Sequence, residues 1–506
     1  MIKKIIELIK DALRHMIAYK DVSDTVDIDT VTISDKMQNN IDLWSAIYCD
    51  ESPWLSDDDG IYSLNLGKSI CQELARSVMS ELESSITDPN APDVEETEIE
   101  DTVIDLSNRA NFLNDCYTKN LMKCFDDRLE MGMATGGMII KPYVSNGRIY
   151  FDFCYQGEFY PIAFDDDGNI TDIAFIDEFI SGDFKYSKIE RQTFANNTIV
   201  VENKAYKTKV KKAEDDSNIP DELGTEIDLK LIDRWAYISP QVTIQNVDRP
   251  LYGYYKVPLA NNVDKNSPLG ISVFSPAVKM IERADKQFSR LDWEYEGGQM
   301  AIDIDESALH FSDGYFGTQL EQDQTRNRLY RKVDLGTDDT YNAFAPSLRD
   351  NNYLAGLTRY LTKIEDLVGL ARGTLSEVDA EARTATEIKI LKQRQYVTVS
   401  KNQTELQRTL EDVVYAMNTL AELYNLSATG EYNLNLNWKD SILTDTDTEL
   451  SQKINLKNAG ILMDWEVRAW YTGEDEETAK AVIQEKEDKE QAKLANDIFG
   501  SNNKEE

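Results

Sequence analysis

Two short segments carry residue types that bind phosphate or metal ions in other proteins. Gly67-Lys68-Ser69 resembles the end of a phosphate-binding loop, but that motif needs a glycine five residues before its Gly-Lys pair, and position 62 is tyrosine. Asp165-Asp166-Asp167-Gly168-Asn169 resembles the start of a calcium-binding loop, yet Ile170 and Ile176 stand where that loop needs glycine and glutamate. We therefore expect no nucleotide site and no metal site at these segments, and a plain β-turn at 165–169.

Histidine and cysteine are too sparse for the common catalytic and zinc sites. The chain has two histidines, His15 and His310, and no recognisable set of serine, histidine and aspartate. The five cysteines form no CxxC pair, and we interpret them as reduced core residues of an intracellular protein: Cys49, Cys71, Cys116, Cys124 and Cys154. The sequence thus predicts no cofactor, no metal and no catalytic residue, although the paired carboxylates of a hydrolase can hide among 92 acidic residues.

A striped helix is the strongest candidate for a charged binding surface. Ser275 suits its N-cap, Pro276 its first position and Gly297-Gly298 its end. Four basic residues recur at spacings of four, three and four and share one face: Lys279, Arg283, Lys286 and Arg290. Roughly opposite lies an apolar face of Val278, Ile281, Ala284, Phe288, Leu291 and Tyr295, with an acidic flank of Glu282, Asp285, Asp292 and Glu296. The pattern fits either ring subunits that present opposite charges to each other or a solvated amphipathic helix.

The elements around this helix predict an α+β fold. Apolar spacings of three and four predict helices at 1–20, 40–48, 68–84, 106–133, 275–297, 350–370 and 448–498. Alternating apolar and polar residues predict an antiparallel β meander with strands at 138–144, 148–154, 159–164, 170–176, 185–194 and 198–206. The segment 300–347 is mixed, and we expect short strands in it.

The longest predicted helix runs from about residue 384 to 426 and would be roughly 60 Å long. Its second half has the alternating spacing of a helix–helix seam, at Leu406, Leu410, Val413, Met417, Leu420 and Tyr424. It follows a glycine-containing loop at 371–383, which in turn follows the helix at 350–370. Two helices that flank a mixed insert can form an outgoing and a returning limb, after which the long helix crosses back over the body.

Composition limits how the chain can meet nucleic acid. Of 506 residues, 92 are acidic and 54 basic, so the net charge is −38, while a hydrophobic content of 41% predicts a folded chain. A sequence-reading DNA-binding protein is usually basic, because its affinity comes largely from neutralised phosphates. This chain could still surround DNA without gripping it, or it simply has a soluble acidic surface. No apolar run reaches membrane-spanning length, and the amphipathic segment at 1–10 fits a docking helix better than a membrane-surface helix.

Seven segments, taken in order, point to one family. They are SLNLGKSICQELA at 63–75, MATGGMIIKPY at 133–143, FYPI at 159–162, PLGISVF at 268–274, AEARTATEI at 380–388, WKDSILTD at 438–445 and NAGI at 458–461. In this order they are similar to segments of the portal proteins of tailed bacteriophages, in particular those of long-tailed phages of Gram-positive hosts. That family also lacks a phosphate-binding loop and a catalytic triad. The resemblance spans about residues 60–485 and does not extend to 1–55 or to the tail.

The resemblance implies the portal fold, whose parts surround a central channel. The wing combines helices with the β meander, the stem is helical, the clip is mixed α/β and the crown is helical. On this sequence the implied boundaries are the wing at 1–267, the first stem helix at 268–299, the clip at 300–347, the second stem helix at 348–370, the tunnel loop at 371–383, the long wing helix with a following strand at 384–439, and the crown with a charged tail at 440–506.

The resemblance also implies the work of a portal. Twelve copies would form a ring at one capsid vertex, through which viral double-stranded DNA is packaged and ejected without sequence specificity. The implied partners are other copies of the chain, DNA, the terminase large subunit, head–tail connector proteins, the major capsid protein and a scaffolding protein, but no membrane. The implied locations are the virion and, during assembly, the host cytoplasm. The alternative interpretation is another non-enzymatic head or connector protein of the virion.

Two sets of residues would line the implied channel. The stem set is the basic stripe of Lys279, Arg283, Lys286 and Arg290. The second set is the tunnel loop, with Arg372, Gly373, Thr374, Leu375, Ser376, Glu377, Val378, Asp379 and Arg383. In that loop the two arginines could contact phosphates, while its acidic residues, Glu381 among them, would repel phosphates and limit sticking. The glycine permits backbone conformations that other residues resist.

Overall fold

Helices and mostly antiparallel sheets occupy largely separate stretches of the chain, so the fold class is α+β as predicted. The computed structural model describes residues 33–56, 60–80, 82–90, 105–209, 224–305, 330–333, 341–376, 385–438, 453–472, 476, 478–484 and 486. The chain divides into two compact units, Met1–Trp438 and Lys439–Glu506. The predicted helix at 1–20 and the loop residues 377–384 lie outside the described residues, as do large parts of 300–347 and 448–498.

Two helices begin the described part of the first unit. Helix α1, at Asp35–Tyr48, starts where the Ser34 side chain accepts a hydrogen bond from the backbone N–H of Met37, before the predicted start at residue 40. Helix α2, at Leu66–Met79, buries most of its predicted stripe, at Ile70, Leu74 and Val78. Both helices contribute to the main hydrophobic core.

The helix predicted at 68–84 ends early, and a strand follows it. Strand β1, at Leu82–Thr87, pairs antiparallel with β14 at Asn433–Trp438. The prediction was wrong here because the apolar spacing of the helix continues locally as far as Leu82, whereas the partner strand is distant in sequence. In the strand, Ile86 is buried and joins the core.

The helix predicted at 106–133 consists of several segments. Helix α3, at Arg109–Cys116, begins at Asn108, whose side chain accepts hydrogen bonds from two backbone N–H groups in the first turn. A π-helical turn at Tyr117–Leu121 and a 3-10 turn at Met122–Cys124 then lead into α4 at Phe125–Thr135. The π-helical turn contains an extra residue, which local spacing does not reveal, so a single continuous helix was the wrong prediction.

The predicted β meander is confirmed, and it forms two sheets. Strands β2, at Gly137–Ser145, and β3, at Arg148–Tyr155, form a hairpin whose turn residues Asn146 and Gly147 both have positive φ. Strand β10, at Gly253–Lys256, completes this sheet. The second sheet consists of β4 at Phe159–Phe164, β5 at Ile170–Ser181, β6 at Phe184–Ala195, β7 at Thr198–Lys209, β8 at Thr225–Ile227 and β9 at Gln241–Gln245.

A buried ion pair connects the two sheets. The Nζ atom of Lys141 on β2 lies 3.1 Å from a carboxylate oxygen of Glu190 on β6 and 4.5 Å from the centre of the Phe175 ring. Burial alone would raise the pKa of Glu190, but Lys141 and Lys188 lower this pKa to about 2. The carboxylate is therefore charged at neutral pH and holds the sheets together.

A helical hairpin follows the sheets. A 3-10 turn at Ser275–Ala277 leads into α5 at Val278–Gly297. The Ser275 side chain makes no capping hydrogen bond, contrary to prediction, because this residue already lies inside the 3-10 turn. Helix α6, at Asp350–Val368, ends at Gly369, which has a φ of +80°. Between the two helices lie short strands, as predicted, and they form a small sheet: β11 at Ala301–Asp305, β12 at Tyr330–Val333 and β13 at Tyr341–Phe344.

The longest helix in the described part of the chain, α7 at Ala385–Leu423, packs into the main core. Its predicted seam is buried at Leu406, Leu410, Val413, Met417 and Leu420. Tyr424 follows the helix and is 57% exposed, so the seam ends before it. Beside the seam, the Thr409 hydroxyl donates a hydrogen bond to the backbone carbonyl of Tyr254 on β10, at 3.2 Å. The long helix therefore lies directly against the β2–β3–β10 sheet.

The second unit is helical where the structure describes it. It contains a helical stretch at 453–458 and helix α8 at Asp464–Thr472. Across the described residues of both units, the helices are too short or too polar to cross a membrane.

Candidate nucleic-acid interface

A charged contact holds α5 and α6 together at the end where the insert with β11, β12 and β13 joins them. The carboxylate of Glu294 on α5 accepts hydrogen bonds from the backbone N–H, Nε and Nη2 of Arg349, which precedes α6, at 3.0, 3.1 and 2.8 Å. Further along, the side-chain amide of Gln287 donates to the backbone carbonyl of Tyr353 at 3.3 Å. The two helices therefore have a defined register, which positions every side chain on α5.

A buried aspartate attaches α5 to the N-terminal segment. The Asp285 carboxylate accepts hydrogen bonds from the Trp54 indole N–H at 2.8 Å and from the backbone N–H of Leu64 at 2.9 Å. Burial raises the pKa of Asp285, although these hydrogen bonds oppose the shift. The sequence interpretation placed Asp285 on an exposed acidic flank, and this was wrong, because its donors come from a segment more than 200 residues away.

The basic stripe is on the solvent-facing side of α5. Lys279, Arg283 and Arg290 are exposed, and Lys286 is half-buried and paired with Glu282 on the same helix. On the opposite face the apolar residues Ile281, Ala284 and Leu291 are buried, whereas the last predicted member, Tyr295, is exposed. The two-faced character of the helix thus agrees with its periodicity, and three cationic side chains are accessible to an anionic partner in the single chain.

The first half of the loop at 371–383 is anchored to α6. The Glu365 carboxylate accepts hydrogen bonds from the backbone N–H groups of Gly373, Leu375 and Ser376, and from the Ser376 hydroxyl. Of the predicted loop residues, Glu377, Val378, Asp379, Glu381 and Arg383 lie outside the described residues. The described half is therefore a folded turn at the end of α6.

Arg372, predicted to contact phosphates, has a carboxylate partner in the single chain. Its guanidinium donates two hydrogen bonds to Asp366, at 3.1 and 3.0 Å, and Arg394 on α7 donates to the same carboxylate at 2.6 Å. The hydrogen bond from Arg372, with a smaller contribution from Arg394, lowers the pKa of Asp366. Two guanidinium groups thus share the Asp366 carboxylate, and the nearby Glu365 adds a second negative charge beside Arg372.

Sequence reasoning did not identify Glu365 or Asp366. One signal was present, since two carboxylates stand in the last turn of a predicted helix, where the helix dipole favours cations. Their partners could not be inferred, because they are backbone N–H groups of the following loop and an arginine of a distant helix.

The phosphate-loop and calcium-loop segments have structural roles. Gly67-Lys68-Ser69 lies in the first turn of α2, where an added Cβ on Gly67 would come within 2.6 Å of Ile47 on α1. At 165–169 the Asp165 carboxylate accepts hydrogen bonds from two backbone N–H groups of its own turn, which confirms the plain β-turn. Among the described residues, no group of three or more His, Cys, Asp or Glu side chains could hold a metal ion.

The cysteines are free, but they do not all lie in the core as predicted. Cys71 and Cys116 are buried and Cys154 is half-buried, whereas Cys49 and Cys124 are exposed because they lie at helix ends. Burial raises the pKa of the Cys154 thiol to about 12, and the pKa of Cys71 is raised for the same reason. These thiols are protonated at neutral pH and are poor nucleophiles.

One comparison with known proteins identifies a relationship. A family model described as "Phage portal protein, SPP1 Gp6-like" matches residues 93–493, which is most of the chain. No curated protein matches the chain in sequence. The match includes the β meander, the α5–α6 hairpin and α7, and therefore all the residues of the basic stripe.

Proposed function

The chain belongs to the SPP1 Gp6-like family of phage portal proteins, and we propose that it forms the ring at one capsid vertex through which double-stranded DNA is packaged and ejected. Proteins of this family are in general structural rather than enzymatic. The family match over residues 93–493 is the observation that carries the proposal. The proposal gives the chain no catalytic step, so its work is to assemble, to surround DNA and to dock partners.

The α5–α6 hairpin is the part that we assign to the channel wall. Its helices are held in register by Glu294 and Arg349, and α5 has a buried apolar face and an exposed basic stripe. Large apolar side chains are exposed near the end of the hairpin that the insert joins, at Trp293, Leu348 and Leu354. In a ring of twelve such hairpins, neighbouring subunits would cover these side chains.

The charge balance suits a channel that does not hold its DNA. Double-stranded DNA carries one negative charge per ~1.7 Å of axis, so a wholly basic wall would release counterions and bind it firmly. A chain with a net charge of −38 repels the duplex in general. Within that surface, we assign a guiding role along the stem to the basic stripe of Lys279, Arg283, Lys286 and Arg290. We assign the loop that contains Arg372 to the narrowest point of the channel.

The proposed partners follow from the family. Portal proteins assemble as rings and interact with capsid, terminase and connector proteins. For this chain we propose the terminase large subunit during filling and then the head–tail connector proteins, both at the part that contains β11, β12 and β13. The major capsid protein and a scaffolding protein would meet the wing. The proposed locations are the capsid vertex of the virion and, during assembly, the host cytoplasm.

Ring formation is the first test. We expect the purified full-length chain to form particles with a central hole in negative-stain electron micrographs, because each subunit leaves apolar side chains of the hairpin uncovered. Light scattering should give a mass many times that of the 57.7 kDa chain. A chain that stays monomeric at high concentration would contradict the proposal. The number of subunits is not the criterion, because isolated rings need not have the number found in the virion.

Removing the basic stripe should impair DNA packaging without affecting folding. We expect the triple variant Lys279→Gln, Arg283→Gln, Arg290→Gln to form normal rings, because exposed substitutions change stability by only about 0.5 kcal/mol each. DNA-filled heads in a phage-assembly assay should fall by roughly tenfold, since three cationic contacts per subunit are lost.

A matched control removes the same charge elsewhere. Lys204, Lys230 and Lys401 are also exposed but lie outside α5, so their replacement by glutamine should leave DNA filling unchanged. Normal filling by the stripe variant would exclude the stripe from the DNA path. Loss of rings in that variant alone would instead place the stripe between subunits.

A further inference from the structure

A fully buried carboxylate connects the end of α6 to the loop after it. The Glu365 side chain is 0% exposed, although its residue type is usually found at the surface. One of its oxygens lies 3.1, 2.7 and 2.8 Å from the backbone nitrogens of Gly373, Leu375 and Ser376. The Ser376 hydroxyl lies 3.1 and 3.0 Å from the two carboxylate oxygens. All the donors in this set come from the loop.

The position of Glu365 is unfavourable for the helix itself. It stands in the last turn of α6, where the partial negative charge of the helix end repels a carboxylate. Burial of a charge without partners is also strongly unfavourable. The three N–H groups and the hydroxyl offset both effects, so the arrangement is stable only while the loop keeps this conformation. The residue therefore stabilises the loop rather than the helix.

The neighbouring residue fixes the same turn to α7. Asp366 accepts hydrogen bonds from Arg372 in the turn and from Arg394 on α7. The side-chain oxygen of Gln395 on α7 accepts a hydrogen bond from the backbone N–H of Ala371 at 3.4 Å. The described turn at 371–376 is thus bound to two helices at once, through side chains on both.

We infer that Glu365 is a positioning residue: its carboxylate sets the direction in which the chain leaves α6, while Asp366 fixes that turn to α7. The functional part of this inference rests on the proposed portal function, in which the loop borders the DNA channel. Arg372 then acts first as a strut to Asp366, rather than as a free phosphate ligand. A defined direction at 371–376 would give all subunits of a ring the same loop geometry.

Amide hydrogen exchange of the purified protein tests the anchoring directly. Glutamine at position 365 can keep one carbonyl oxygen toward the three N–H groups, but it is a neutral amide and puts an NH₂ group in place of the second oxygen. Glu365→Gln therefore keeps the shape and replaces hydrogen bonds to a carboxylate by weaker ones to an amide. We expect the amides of Gly373, Leu375 and Ser376 to exchange roughly 10- to 100-fold faster. The rest of α6 and the α7 seam should keep their wild-type exchange rates. Glu411→Gln, which changes an exposed carboxylate on α7, is the matched control and should change none of these rates.

A second variant and a second measurement separate the possible outcomes. Ser376→Ala removes only the hydroxyl donor and should give a smaller acceleration at the same amides, so it remains informative if Glu365→Gln does not fold. Unchanged exchange at 373–376 in both variants would overturn the inference, whether or not the chain is a portal. Faster exchange with fewer DNA-filled heads would support it. Faster exchange with a normal number of DNA-filled heads would refute the positioning role in the channel. Failure of the wild type to form rings would refute only the proposed function.

Discussion

Gly270→Ala is expected to destabilise the protein by about 4 kcal/mol or more, or to prevent soluble expression, because overpacking of a rigid backbone contact is among the costliest single changes. An added Cβ would lie well inside van der Waals contact of the Gly136 carbonyl oxygen, and a Cβ on Gly136 would lie 2.8 Å from the Gly270 carbonyl oxygen. Neither backbone can retreat, because the Gly136 carbonyl accepts a hydrogen bond from Val257 and the Gly270 carbonyl accepts one from Gln156.

Urea unfolding followed by far-ultraviolet circular dichroism measures this effect. The matched control is Gly297→Ala at the end of α5, where an added Cβ has no neighbour closer than 3.9 Å. That variant should stay within about 1 kcal/mol of the wild type. A Gly270→Ala protein with an unfolding free energy equally close to wild type would show that the two segments can separate, which the structure does not allow.

Asp285→Ala is the second substitution expected to have a large effect, at about 3 kcal/mol of unfolding free energy. The variant leaves the Trp54 indole N–H buried without an acceptor and removes the acceptor of the Leu64 N–H. Both donors lie in the segment that joins α1 to α2, so the variant should also loosen the contact between the hairpin and the N-terminal helices. Thermal and urea unfolding measure the stability loss, and faster hydrogen exchange of the Leu64 amide reports the loosened contact.

An acidic residue about two turns further along α5 provides the control. Asp292 is exposed on the same helix, and Asp292→Ala should change stability by no more than about 0.5 kcal/mol.

The pH dependence of stability gives a further check on Asp285. Because burial raises the pKa of Asp285, the native state binds this proton more tightly than the unfolded chain does. Wild-type stability should therefore fall as pH rises from the usual aspartate pKa to that of Asp285, and Asp285→Asn should lack this change. Equal losses in the two alanine variants would contradict the role of Asp285.

Local pattern was sufficient for most elements of the fold. Alternation of apolar and polar residues predicted β2 to β7, since each strand of a meander pairs with its neighbour in sequence. The exceptions are elements whose structure depends on more than the apolar spacing within their own segment. Strand β1 pairs with β14, and the phase of the helix around Tyr117 shifts in a π-helical turn, so neither follows from spacing within its own segment.

In the candidate site, too, local pattern predicted some features and distant contacts decided others. Helical periodicity predicted that the basic stripe of α5 would lie opposite a buried apolar face, and the structure places Lys279, Arg283 and Arg290 in solvent. The same periodicity misplaced Asp285, because it reports the face of a helix but not the donors that approach that face. The assignment of the stripe and of the loop to a DNA channel stays a prediction.

The sequence by itself determined the α+β class, the β meander, the two-faced helix of the hairpin and the portal family, because these depend on residue order and local spacing. Only the tertiary structure decided which charged groups are free and which are used internally. In the sequence, Arg372 and Asp285 look like ordinary surface residues. In the structure, Arg372 pairs with Asp366, and Asp285 is buried against Trp54. The physical reason is that a hydrogen bond needs a donor and an acceptor within about 3 Å. Asp285 meets donors that lie more than 200 residues away, and Arg372 meets Asp366 because the turn between them folds back onto α6.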